Sequence, residues 1–126
     1  MTSPAANAER YLYQNEPTWS KSEKAIARIV FDAALGRELQ EVIQEATRRA
    51  NQIKEPADLW DLERYLTERR KEIDRKYDYR YSRLTQVFGR LLYEKRLGEE
   101  ELGGLGEDKL KSIRSFARFL AEDTAA

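Results

Sequence analysis

Apolar residues recur at steps of three and four over two long stretches of the chain, the spacing that places one stripe along one side of an α-helix. In the first stretch the stripe is Ile26, Ile29, Val30, Ala33, Ala34, Leu39, Val42, Ile43, Ala46, Ala50 and Ile53. Ser20 followed three residues later by Glu23 has the spacing of a capping box, in which each side chain satisfies a backbone amide at a helix start, and Trp19 stands where a hydrophobic staple would. These signals predict a helix over about residues 20–52. Pro56 is tolerated only in the first turn of a new helix, and Glu55 and Asp58 suit the positive end of its dipole, so residues 53–55 form a tight corner. Beyond it Leu59, Leu62, Leu66, Ile73, Tyr77, Tyr81, Leu84, Val87, Phe88, Leu91 and Leu92 recur at helical spacing, with neither Gly nor Pro between Asp58 and Phe88. One helix over about residues 56–96, folded back on the first, is the expectation.

A helix of roughly 40 residues would be about 55 to 60 Å long, more than the width of a compact domain of this size. Its middle, residues 67–83, has only Ile73 and the tyrosines as apolar cover. A second copy laid antiparallel against it is the economical cover, so an elongated homodimer is expected, with Ile73, Tyr77, Arg80 and Tyr81 at the interface. After Leu97 the run from Gly98 to Gly106 reads as a short helical turn between glycine stops. Glu107 or Asp108 then opens a last amphipathic helix whose Leu110, Ile113, Phe116, Ala117 and Leu120 face Phe88 and Leu92, making a small C-terminal head over about residues 97–121, frayed from Ala121 onward. Residues 1–18, with Ser3, Pro4, Asn7, Asn15 and Pro17 and little periodicity, are expected to be a mobile N-terminal arm. The fold class is all-α: a single domain over residues 19–126, two long antiparallel helices and a head.

Composition narrows the chemistry. The 126 residues carry 23 basic and 23 acidic side chains, so no net field draws the chain to nucleic acid or to an acidic membrane. Cysteine and histidine are both absent, which removes disulfides, thiolate nucleophiles, thiolate and imidazole metal ligands and the usual proton-transfer side chain near neutral pH. No catalytic residue, metal or cofactor is expected. Glu94 and the run Glu99, Glu100, Glu101 adjoin glycines in a solvent-facing turn rather than a pocket that would split their pKa values, and Gly103, Gly104 and Gly106 lack the strand and lysine of a phosphate-gripping loop. Residues 67–83 hold seven bases and three tyrosines, ingredients of a nucleic-acid surface, but four interleaved acids make an ion-paired helix face the better reading. A nucleic-acid-binding helical dimer is therefore the weakest alternative. No apolar run nears the roughly 20 residues of a membrane span, so no membrane insertion is expected. Residues 1–15 also lack the basic start and apolar stretch of a secretory signal, and the expected location is the cytoplasm.

Trp60 is the residue that composition leaves unexplained. Leu59 and Leu62 already occupy the inward stripe, and Trp60 lies about 100° to 200° around the helix from them, which favours a partly exposed ring over a core clamp. An exposed tryptophan near an arginine, here Arg64, is the usual makeup of a protein-binding hot spot.

The segment Asp58, Leu59, Trp60, Asp61, Leu62, continued by Arg70, Lys71, Glu72, Ile73, Asp74, Arg75, Lys76, Tyr77, Asp78, Tyr79 and Arg80, resembles the signature of the fluorescence recovery proteins. The likeness extends to Trp19, Ser20 and Glu23, to Arg37, Glu38 and Leu39, and to Glu101, Leu102, Asp108 and Lys109, over about residues 17–118. The resemblance implies an all-helical dimer that binds photoactivated orange carotenoid protein, hastens its return to the orange form and so ends quenching of the phycobilisome, without covalent chemistry. It implies a cyanobacterial cytoplasm, the cytoplasmic face of the thylakoid included. The family's functional patch pairs a tryptophan with an arginine further along, matched by Trp60 and Arg70. Glu63 and Arg64 stand where the family has a His-Asp pair, and Gln86 replaces an aromatic of the head, although Phe88 remains. The partner-binding set implied is Trp60, Glu63, Arg64, Arg70, Phe88 and Lys109. The departures keep a second reading open, a fluorescence-recovery-like helical adaptor with another protein client, in an organism lacking the carotenoid protein.

Overall fold

The first helix begins where Ser20 and Glu23 close their capping box: Ser20 Oγ accepts the Glu23 amide at 3.1 Å, and Glu23 Oε1 accepts the Ser20 amide at 2.9 Å. In a computed structural model that describes residues 18–125, α1 runs over Lys21–Asn51, α2 over Pro56–Lys76, α3 over Leu84–Tyr93 and α4 over Glu107–Ala125, with a 3₁₀ turn at Glu99–Leu102. Every regular element among the described residues is helical. The arm expected over residues 1–18 lies, Thr18 apart, outside the described residues. Pro56 opens α2, and Asp58 turns back to accept the amides of Lys54 and Glu55 at 3.0 and 3.1 Å.

The expected single helix over residues 56–96 is broken: α2 ends at Lys76, and the chain leaves helical geometry until Leu84. Aromatic packing is the cause. In a continued helix Tyr79 would project about 200° away from Tyr77. Off the helix, Tyr77 and Tyr79 both meet Phe31 edge-on, at 5.4 and 4.8 Å between centroids, and Tyr81 joins Tyr79 at 5.7 Å and Trp19 at 5.8 Å. Trp19 Nε1 donates to the Tyr81 carbonyl at 3.1 Å, and the Arg28 guanidinium sits 3.7 Å from the Tyr79 ring centre. Each such pair is worth about 0.5–1.5 kcal/mol beyond burial, which favours the unwound path over a continued helix.

The core lies at this end of the molecule. Leu84, Phe88 and Leu91 of α3, Leu102 of the 3₁₀ turn and Ile113 of α4 are fully buried with Ala27, Val30, Phe31 and Ala34 of α1. Gly89 permits the close approach of α3 to α4, because a Cβ there would lie 2.9 Å from both Phe116 Cβ and the Ile113 carbonyl. The last helix does not fray at Ala121 as expected. Thr124 Oγ1 bonds the Leu120 carbonyl and, at 2.7 Å, the Tyr93 hydroxyl, which ties the final turns to α3.

Two buried carboxylates fasten the elements to each other. Glu23, besides capping α1, accepts the Gly106 amide at 2.8 Å and Lys109 Nζ at 3.2 Å, locking the start of α4 to the start of α1. Glu38, with no exposed surface, accepts from Arg69 (2.9 Å), Lys76 (2.8 Å) and the Tyr77 hydroxyl (2.9 Å), and Arg96 Nε lies 3.1 Å away. The amides of Ser20 and Gly106 and the nearby Lys109 hold the Glu23 carboxyl down, against its burial, to about 2. For Glu38 burial pushes upward, but the bonds from Lys76, Tyr77 and Arg69 outweigh it and the carboxyl sits below its usual range. Both folded-state pKa values are thus depressed, so the unfolded chain binds more protons and stability is lost as pH falls below the ordinary value of 4.5 towards 2. Melting temperature is expected to hold from about pH 7 to 5 and to fall steeply below about pH 4.5. In Glu23→Gln the same pH drop should remove less stability.

Candidate partner-binding face

The second half of α1 and the length of α2 form a hairpin that projects from this core, and of α2 only Ile73 is buried. At about 100° per residue, Leu62, Tyr65, Arg69, Ile73 and Lys76 share the side of α2 turned towards α1. Arg69 and Lys76 there reach Glu38, and Tyr65 receives the Arg49 guanidinium 4.1 Å above its ring. Trp60, Arg64, Thr67, Lys71 and Asp74 fall on the opposite side, flanked by Glu63 and Arg70. Trp60 is 59% exposed, which settles its ring as surface rather than core. Arg64 meets Asp61 at 3.1 Å and Arg70 approaches Asp74 at 4.0 Å, both pairs open to solvent. Such pairs contribute little to stability and are readily exchanged for a partner's charges.

A second exposed feature runs beside this one. Leu39 and Ile43 lie about 100° to 140° around α1 from Glu38, and Leu59 and Leu66 flank the inward side of α2. For antiparallel helices these four fall on one side of the hairpin. Ile43, 56% exposed, is the most open of them.

Other expected contact residues are occupied within the chain. Phe88 is buried on the α3 stripe between Leu84 and Leu91, so it is core and not a surface for a partner. Lys109, in the first turn of α4, is 4% exposed and donates to Glu23 and to the Thr18 carbonyl, so it is a structural cation. Ile73 is 8% exposed and Tyr77 bonds Glu38, which places both inside the fold. Arg80 chelates Asp78 at 2.8 and 3.0 Å and, with Tyr81, remains exposed. Sequence reasoning missed Glu38 as a keystone, although Ala34, Glu38 and Val42 are four apart on the apolar stripe, the sign of a buried charge. It also missed Phe119, 59% exposed beside Phe116 on α4. No grouping of carboxylates among the described residues is arranged to hold a metal ion, and no helix there is long and apolar enough to cross a membrane.

The sequence model of a family described as photoprotection regulator fluorescence recovery protein matches residues 19–117. The chain belongs to that family. The Fluorescence recovery protein of Synechocystis sp. is 40% identical to it over 103 residues, 82% of this chain and 94% of that protein. The solved structure of the Fremyella diplosiphon Fluorescence Recovery Protein superposes with a TM-score of 0.77 at 42% identity, covering 80% of this chain and 99% of that one. That of the Synechocystis sp. PCC 6803 protein does so with 0.77 at 40% identity and the same coverage. The all-helical fold is therefore shared with solved fluorescence recovery proteins, and Trp60 and Arg70 lie within the matched residues 19–117. The family is one of regulators and is not named for catalysis.

Proposed function

We propose that this chain binds photoactivated orange carotenoid protein through the outer face of α2 and accelerates its return to the orange form, ending phycobilisome quenching in a cyanobacterial cytoplasm. The observation that carries this reading is the exposed Trp60 on the side of α2 turned away from α1, in a chain of the fluorescence recovery protein family. No covalent step is required. A partner that binds the transition state between two forms of a photoswitch more tightly than the red form speeds relaxation by that differential affinity alone. Trp60 supplies the anchor, Arg70 and Arg64 the cations, and Glu63 an acceptor. Binding assays on the lit and dark carotenoid protein test this: the lit form should be retained preferentially, and Trp60→Ala should weaken retention by at least about tenfold, the range of a hot-spot tryptophan. No retention of the lit form, or undiminished retention by Trp60→Ala, would refute the reading. A different protein client is favoured by one feature, Glu63 and Arg64 in place of the family's His-Asp pair, since reversing a charge in a binding patch can cost several kcal/mol.

The functional unit in this reading is a homodimer paired through Leu39, Ile43, Leu59 and Leu66, the apolar side that one chain leaves bare. Light scattering is expected to give twice the chain mass of 14.8 kDa at micromolar concentration. Ile43→Asp would place an unpaired carboxylate in the contact and should yield a folded monomer. A wild-type monomer at those concentrations would exclude the pairing.

A further inference from the structure

Where the end of α2, the tyrosine segment, α3 and the edge of α4 meet, the surface folds into a cleft of about 340 Å³. Five of its lining residues, Arg75, Lys76, Arg80, Arg83 and Arg90, are cations, against the single carboxylate of Asp78. In a chain with 23 bases and 23 acids, that surplus is a local concentration of charge. It lies at the other end of α2 from Trp60, about 20 Å along the helix.

Pairing decides which of these charges are available. Lys76 is committed to Glu38 and Glu94, at 2.8 Å each, and Arg80 to Asp78. The other three guanidiniums have only marginal contacts. Arg75 Nε is 3.4 Å from the Lys71 carbonyl, Arg83 is 3.4 Å from the Gln86 amide oxygen, and Arg90 is 3.9 Å from Glu94. Among the described residues none of the three has a carboxylate within hydrogen-bonding distance. The acids of the adjoining hollow are already engaged: Glu72 accepts from Arg69 at 2.7 Å, and Glu94 from Lys76 and Arg96 at 2.8 Å each. Three planar donor forks around one cleft match the oxygens of a phosphate group, which guanidinium binds two at a time. Val87 and Phe116 give the cleft an apolar wall, room for more than the phosphate itself.

We infer that this cleft binds a phosphate-class anion. Soluble phosphate esters and the headgroup of an anionic lipid present the same chemistry, and the experiment separates them. Titration calorimetry of the full chain with pyrophosphate at about 0.1 M salt should give saturable binding at one site per chain. Arg83→Gln with Arg90→Gln should weaken it by at least about tenfold, two charge-assisted contacts being lost. Arg75→Gln alone serves if the double variant fails to fold. Arg48→Gln, at the far end of α1, should leave affinity within about twofold. No saturable binding, or an equal loss in Arg48→Gln, would overturn the inference by reducing the effect to charge screening. A parallel arm uses phosphatidylglycerol vesicles. Retention that pyrophosphate displaces identifies a lipid headgroup as the source, and pyrophosphate binding without retention a soluble phosphate. Retention indifferent to pyrophosphate and to the Arg83, Arg90 double variant would count against the cleft.

Discussion

Glu38→Ala is expected to lower the unfolding free energy by about 3–5 kcal/mol, the cost of removing one partner from a buried ion cluster. Glu38 has no exposed surface, and Arg69, Lys76 and Arg96 converge on it from α2 and from the segment after α3. Without the carboxylate, Lys76, whose side chain is 10% exposed, keeps only Glu94 as counter-charge, and the Tyr77 hydroxyl loses its acceptor. Glu38→Gln keeps an acceptor of the same shape and should cost less than the alanine variant. Urea unfolding of the three proteins measures this. Because Glu38 joins both halves of the hairpin to the tyrosine segment, the alanine variant should also loosen Tyr77 and shift near-ultraviolet circular dichroism. A loss below about 1 kcal/mol for Glu38→Ala would mean that the cluster contributes little beyond solvent-exposed pairs.

Phe88→Ala and Trp60→Ala are expected to separate stability from recognition. Phe88 is enclosed by the α3 and α4 stripe, and its truncation should cost about 3–5 kcal/mol through lost burial and the cavity left behind. Trp60, more than half exposed, should cost less than about 1 kcal/mol on the same assay, since its ring already faces water. The ordering matters because both residues lie in the segment that resembles the family signature and its head, and only their surroundings tell them apart. Equal losses would mean that Trp60 is packed in the molecule as it exists in solution, as against a second copy.

Local grammar made much of this fold readable. The Ser20 and Glu23 box, the Pro56 corner with Asp58, and the glycines around Glu99–Leu102 each act within a few residues, and each element starts or stops where those residues stand. Trp60 was legible for the same reason: helical angle alone turns it away from Leu62. The junction at Tyr77 was not, because no proline or glycine marks it, and the force that unwinds it comes from Phe31 on α1 and Trp19 just before it, both distant in sequence. Its one local sign is the alternation of Tyr77, Tyr79 and Tyr81, a period of two inside a helical pattern. Lys109 entered the partner-binding set through the resemblance; its partner Glu23 is distant in sequence, and only the packing of α4 on the start of α1 buries the pair. Phe88 read as a contact on the strength of resemblance, whereas its spacing from Leu84 and Leu91 already placed it on the buried stripe.

The direct measurement is the rate at which photoactivated orange carotenoid protein relaxes from red to orange, alone, with this chain, and with its Trp60→Ala variant. Acceleration by the wild-type chain that the folded variant largely loses is the predicted result. No acceleration by the well-folded wild-type chain, or undiminished acceleration by Trp60→Ala, would contradict the assignment of this face and its client.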